Sequence, residues 1–257
     1  ETMTTTLRVA HLSDQHVGLV TPMSVQMEAV RITNEAKPDL VVITGDFIAH
    51  SLAYTEELVE ITKAFEAPVF GVLGNHDHWA GAQTMRRVLE RGGMCVLQNA
   101  NTCFEAKGER LQIVGLDDSY TGHADRREAL RGLNRTLPTI GLTHIPEEAD
   151  GLWAGGVPMV FAGHTHGGQF IPWKYFIPLQ QPYVAGLHRH ENTWIYVNRG
   201  SGYWGQGENH WEMAFYLGVL PFCLGLWALL RERARFLKGL VVVAVLGTQF
   251  CWKFREI

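Results

Sequence analysis

The apolar run at residues 69–73 (Val-Phe-Gly-Val-Leu) passes without a spacer into Gly74-Asn75-His76-Asp77-His78-Trp79. A turn needs only one or two of Gly, Asn or Asp to set its backbone angles, so the histidines and the second polar group are surplus to turning. The same succession recurs along the chain. Ser13-Asp14-Gln15-His16 follows the strand-like run 7–12, Gly45-Asp46 follows 40–44, His144 follows 139–143, and Gly163-His164-Thr165-His166 follows 159–162. Further strands are expected at 111–115 and 194–197. Helix-compatible stretches occupy 22–36, 55–65, 82–91 and 125–133, with a short turn after Pro146. Alternation of β-branched runs with helical stretches is the pattern of an α/β fold. Ligands of such sheets bind beyond the carboxyl ends of the strands, so five strand ends direct polar side chains at one edge.

A chain of 257 residues with 46% hydrophobic content can bury one large domain, or one domain with an appendage. Its net charge of -4 and pI near 6.3 leave no basic patch of the kind that binds nucleic acid. An anionic substrate must therefore be attracted by a local field. The cysteines Cys95, Cys103, Cys223 and Cys251 lack C-x-x-C spacing; free buried thiols and a Cys95 to Cys103 bridge across a hairpin are the two readings.

Two Asp, one Asn and four His make a poor structural zinc site, which favours thiolates in a closed tetrahedron. They suit two open metal positions about 3.5–4 Å apart that share one carboxylate. Mixed imidazole and carboxylate donors favour Mn, Fe, Zn or Ni over Ca or Mg, and Mn is the favoured choice. Two dications, two Asp and a bridging hydroxide leave a net positive site that draws a phosphate. Taken singly, each motif has a plainer reading: a chance D-x-H, a G-D turn, an N-H-D helix cap, a glycine turn at Gly163 to Gly168. Their joint occurrence, in order and at strand ends, is what points to metal chemistry. Asp117-Asp118 reads as a turn, His11 as a packed strand residue, and His188-Arg189-His190 as a solvated stretch or an anion contact.

The ordered set D-x-H, G-D, G-N-H-D, a lone His and G-H-x-H, spanning Asp14 to His166, resembles the calcineurin-like metallophosphoesterase superfamily. That resemblance implies a four-layer α/β/β/α sandwich. It implies that Asp14, His16 and His166 bind one divalent transition metal, that Asn75, His144 and His164 bind a second, and that Asp46 bridges them. It implies that His76 contacts the phosphate as an acid or a transition-state stabiliser, with Asp77 orienting it and Asn75 also facing substrate. It assigns no role to His78 or Trp79. Asn198 to Gly205, taken with Gly163 to Gln169, resembles a bacterial branch that includes membrane-associated phosphoesterases and UDP-diacylglucosamine pyrophosphatases. Arg199 there either forks onto a phosphate or pairs with a surface acid.

The expected function is a dinuclear metal-dependent phosphoester hydrolase of the phosphodiesterase or pyrophosphatase type, with a metal-bridging hydroxide as nucleophile and a lipid-linked or nucleotide-linked substrate. Phosphomonoesterase or protein phosphatase activity, and a catalytically silent metal-dependent membrane-binding module, are the alternatives. The expected domains are a catalytic one at 1–205 and an apolar C-terminal appendage at 206–257. In the latter, residues 213–230 and 239–252 are uncharged and flank the basic Arg231, Arg233, Arg235 and Lys238. As helices these runs reach about 27 Å and about 21 Å, which reads as a membrane-associating hairpin or as core. The expected location is bacterial-type, cytoplasmic or peripheral to the membrane.

Overall fold

The computed structural model describes residues 5–168, 181–190 and 193–202. Four parallel strands, β1 (Val9–Leu12), β2 (Leu40–Thr44), β3 (Val69–Val72) and β4 (Cys95–Val96), form one sheet in chain order. The helices α1 (Met23–Glu35), α2 (Thr55–Lys63) and α3 (Asn75–Arg91) connect them. A six-stranded sheet follows, made of β5 (Ala100–Ala106), β6 (Glu109–Gly115), β7 (Thr139–Leu142), β8 (Met159–Ala162), β9 (Gly186–His190) and β10 (Thr193–Val197). Its order is β5-β6-β7-β8-β10-β9, parallel in the middle and antiparallel at both edges. Short helices α4 (Arg126–Ala129) and α5 (Ala149–Ala154) complete it.

Alternation along the strands explains the layers, because successive side chains of a strand point to opposite faces. In β2, Val41 and Ile43 pack with Leu58, Ile61, Met85 and Leu89 of the helices. Their neighbours Leu40 and Val42 turn the other way and meet Leu111, Ile113, Ile140 and Leu142 of the second sheet. The outer face of that sheet carries Val114, Val160, Ile195 and Val197 against Ala129, Ala149 and Leu152. Two sheets back to back, each covered by helices, give the α/β/β/α arrangement.

The registers set the strand ends level. Leu12 pairs with Ile43, and Thr44 with Val72. In the other sheet Leu142 pairs with Phe161, and Ala162 with Val197. Hydrogen bonds then tie the two edges together. Ser201 and Gly202 donate backbone N–H to the carbonyls of Ser13 and Asp14 at 2.9 and 2.8 Å, and Asn198 Nδ2 donates to the His11 carbonyl at 2.9 Å.

Three differences from the sequence expectations have physical causes. Helix α3 begins at Asn75 rather than at residue 82, because Gly81 (φ 122°) kinks the helix without ending it and the Asp77 side chain caps the Gly74 N–H. Strands β4, β5 and β9 have no counterpart in the sequence pattern: β4 has two residues, while β5 (Ala-Asn-Thr-Cys-Phe-Glu-Ala) and β9 (Gly-Leu-His-Arg-His) are polar edge strands. Cys95 and Cys103 are free and exposed, neither bridged nor buried, and they sit in different sheets. Among the described residues no helix is long and apolar enough to cross a membrane. The appendage expected at 206–257, and Tyr203 to Gly205 before it, lie outside the described residues.

Candidate metal centre

Three of the five polar clusters leave their strands through backbone that ordinary residues avoid. Asp14 (φ 51°), His16 (φ 43°), Asp46 (φ 56°), His164 (φ 70°) and His166 (φ 50°) all adopt left-handed conformations. Such conformations cost a non-glycine residue about 1–3 kcal/mol each and persist where the surroundings over-determine them. Gly74, by contrast, is extended (φ -108°, ψ 179°). Its role is close approach: a Cβ at Gly74 would collide with Asp46 Oδ1. A Cβ at Gly163 would collide with Ser13 Oγ and Asp14 Oδ2 in the same way.

The structure brings the seven residues Asp14, His16, Asp46, Asn75, His144, His164 and His166 to one place. In one group, His166 Nε2 lies 3.1 Å from His16 Nε2 and 3.2 Å from Asp14 Oδ1. In the other, His144 Nε2 lies 3.1 Å from Asn75 Oδ1 and 3.3 Å from His164 Nδ1. Asp46 Oδ2 stands between them, 3.6 Å from His16 Nε2 and 3.3 Å from His144 Nε2. Asp14 with His16 and His166, Asp14 with Asp46 and His144, and His16 with Asp46 and His76 each hold three donor atoms within 4.8 Å of one another.

These residues fit divalent metals on the geometry alone. Donors about 2.0–2.2 Å from an ion stand about 3.0–3.5 Å apart around it, close to the spacing found here. Two imidazole nitrogens 3.1 Å apart can share at most one proton, so a cation between them suits both. The tautomer is also set for coordination. His144 Nδ1 donates to the Thr44 carbonyl at 2.7 Å, which leaves Nε2 facing Asp46 and Asn75. Ser13 Oγ donates to Asp14 Oδ2 at 2.5 Å, and the His164 N–H is shared between Oδ2 at 3.1 Å and Oδ1 at 3.2 Å, with Oδ1 also facing His166.

Charge makes the same demand. Asp14 and Asp46 are buried, and among the described residues their ion-pair partners are imidazoles rather than Lys or Arg. Burial pushes both carboxyls up, but the surrounding histidines override it and hold both below the usual carboxylate range. Burial lowers His16 to about 3 and, with the charge of His144, His164 to about 4. It would lower His144 too, but Asp46 and Asp14 reverse this and raise it to about 10. The two buried carboxylates thus favour positive charge at His144, the demand that a cation would also meet.

Around this centre, His76 Nδ1 meets the Ala49 carbonyl at 2.5 Å, and its backbone N–H donates to Asp46 Oδ1 at 2.9 Å. Asp77 has a second task beside the one expected of it: its buried carboxylate accepts backbone N–H groups from Asp46 and Gly74 at 2.9 Å, Phe47 at 3.0 Å and Ile48 at 3.3 Å. Asp77 therefore knots the β2 and β3 exit loops together, while the Ala49 carbonyl holds His76 Nδ1. Burial, with the charge of Asp46, pushes Asp77 up to about 7 against the pull of those donors. Arg199 is exposed, with its aliphatic stem over Gly167 beside His166. His11 is half-buried, bonded to Thr44 Oγ1 at 2.9 Å, and His188 to His190 lie in strand β9, where Arg189 lies over the Trp194 ring.

The Ala49 and Thr44 carbonyls have no signature in the sequence. Ser13 does: a hydroxyl between an apolar strand and an acid is a ready orienter for that acid.

Residues 7–168 match the family model described as calcineurin-like phosphoesterase. An uncharacterized metallophosphoesterase, YkuE, of Bacillus subtilis is 33% identical over 207 residues, covering 76% of this chain and 72% of its own. The phosphodiesterase YaeI of Escherichia coli is 28% identical over 207 residues, covering 76% and 75%. Other curated relatives are longer, and the chain spans 44–55% of their length. The crystal structure of TT1561 of Thermus thermophilus superposes with a TM-score of 0.52 at 14% identity, covering 76% of this chain and 91% of that one, a likeness of fold.

Proposed function

This chain belongs to the calcineurin-like phosphoesterase family of metal-dependent hydrolases, and from that premise we propose that it hydrolyses phosphodiester or pyrophosphate bonds at a two-metal centre. The observation that carries the proposal is the pair of donor groups sharing Asp46 Oδ2. Asp14, His16 and His166 would hold one ion, Asn75, His144 and His164 the other, with Asp46 common to both. Divalent transition metals, Mn favoured, would supply an acidified water and Lewis-acid contacts to the phosphoryl oxygens.

The remaining steps belong to the protein. His76, fixed through Nδ1 by the Ala49 carbonyl, stands beside Asp46 and His16, where it can protonate the leaving oxygen or stabilise charge in the transition state. Asp77 holds the loop that carries Asp46. Arg199, next to His166, can fork onto a non-bridging phosphate oxygen. Diester chemistry is favoured because a 28% identical relative carries the name phosphodiesterase. Catalysis is assigned to residues 1–205, and the tail at 206–257 to association with a membrane surface.

The test is turnover of bis-p-nitrophenyl phosphate by Mn-loaded protein, with metal content measured on the same sample. About two ions per chain and diester cleavage are expected. Loaded, folded protein that cleaves neither diester nor monoester would leave a metal-binding module instead.

A further inference from the structure

Two side chains near the centre have no part in metal binding and are left open to solvent. Trp79 is 60% exposed and Tyr120 is 62% exposed, the most exposed aromatic residues among those described. Neither is remote from the site. The Trp79 ring centroid lies 4.9 Å from that of His76, and the Tyr120 centroid 5.8 Å from that of His164. The two rings meet edge to face, with centroids 6.1 Å apart and planes at 74°.

We propose that Trp79 and Tyr120 form an aromatic corner that receives a planar ring attached to the scissile phosphate, such as the ring of an aryl or nucleoside ester. This inference rests on the phosphoester-hydrolase reading of the centre. Rings set almost at right angles offer one face and one edge, so a flat guest stacks on the first and packs edge-to-face on the second. An alkyl chain has no flat face to stack and gains less from that arrangement. It needs a continuous apolar wall, and the rings beside the corner are the imidazoles His76, His164 and His50.

The corner is built before any guest arrives. Tyr120 sits in a loop whose Thr121 donates both its backbone N–H and its hydroxyl to Asp118 Oδ2 at 2.7 Å. His78, adjacent to Trp79, pairs with Asp117 Oδ1 at 2.8 Å, and its ring stacks on His123 at 4.2 Å. The pair fastens the first turn of α3 to the Tyr120 loop. Rings held in this way lose little freedom on binding. His78 and Trp79, superfluous to the metal centre, acquire a joint purpose as tether and platform.

Phenylphosphonate and methylphosphonate share a phosphonate head and cannot be hydrolysed, so they read the corner by calorimetry on Mn-loaded, full-length protein. The phenyl compound should bind about tenfold more tightly than the methyl compound, the scale of one stacking contact. Trp79→Ala and Tyr120→Ala should bring that ratio to about one, and Trp79→Phe and Tyr120→Phe should restore most of it. With bis-p-nitrophenyl phosphate, the alanine variants should raise KM about tenfold with kcat within about threefold, because the rings position and do not react. An unchanged phenyl-to-methyl ratio in both alanine variants, or a loss confined to kcat, overturns the corner. Native protein that prefers the phenyl compound but turns over no ester refutes the hydrolase reading alone. Native protein that turns over esters with a ratio near one refutes the corner alone.

Discussion

Asp77→Asn is the substitution that separates a knot from a catalytic orienter. The native carboxylate serves four buried N–H groups, two on each oxygen. An amide of the same shape keeps one acceptor oxygen and turns an NH2 toward the other two donors. Each buried donor left without an acceptor costs about 1–3 kcal/mol, so two cost about 2–6 kcal/mol. Removing a buried charge returns part of this, which centres the expected loss at about 3 kcal/mol. That is a large fraction of the roughly 5–15 kcal/mol that holds a domain together. Urea unfolding of the metal-free protein reads it as a lower midpoint at unchanged slope. Because Asp46 and Phe47 are two of the donors, metal affinity should fall in the same variant. Should Asp77→Asn lose less than about 1 kcal/mol, keep both metals and lose only rate, the knot is wrong and Asp77 acts on His76.

Asp46→Ala and His164→Ala should lose metal and activity together, whereas His76→Ala should keep both ions and lose about 10²- to 10⁴-fold in rate; metal analysis of the His76 variant that finds neither ion refutes the division. Coordination requires neutral imidazoles, so metal must displace the proton that His144 holds up to about pH 10, and affinity measured by equilibrium dialysis should fall about tenfold per pH unit from there downward and more steeply below about pH 4, where His164 also takes a proton; affinity that does not change between about pH 9 and 6 argues against ligation by His144. Truncation after Gly205 should leave metal binding intact and abolish sedimentation with anionic liposomes; a truncated chain that unfolds makes the tail part of the core.

The donors were legible because they interrupt the apolar pattern at the positions where strands must end. Asp14, Asp46, Asn75 and His144 each follow a strand-like run, and a polar group there is conspicuous. Side chains whose partners are backbone atoms were not legible in this way. Asp77 follows His76 directly, and nothing in the letters distinguishes a carboxylate aimed at a ring from one aimed at four amides of another loop. Edge strands β5 and β9 escaped notice because one flank lacks a neighbour and their residues need not alternate cleanly. Trp79 and Tyr120 are distant in the chain, so their meeting depends on the Asp117 loop finding His78.

The donors of the centre also lie far apart along the chain: His16 and His166 are separated by 150 positions and meet at 3.1 Å. An ion gripped by both is in effect a cross-link, closing a loop of about 150 residues worth about 5 kcal/mol on the entropy scale used for disulfides. A chain emerging from the ribosome cannot form that link until the strand before His166 is out and paired. With the proposed ligation, metal uptake would therefore follow the pairing of both sheets and seal a topology already reached, and loss of metal would loosen the first-made sheet from the last-made one.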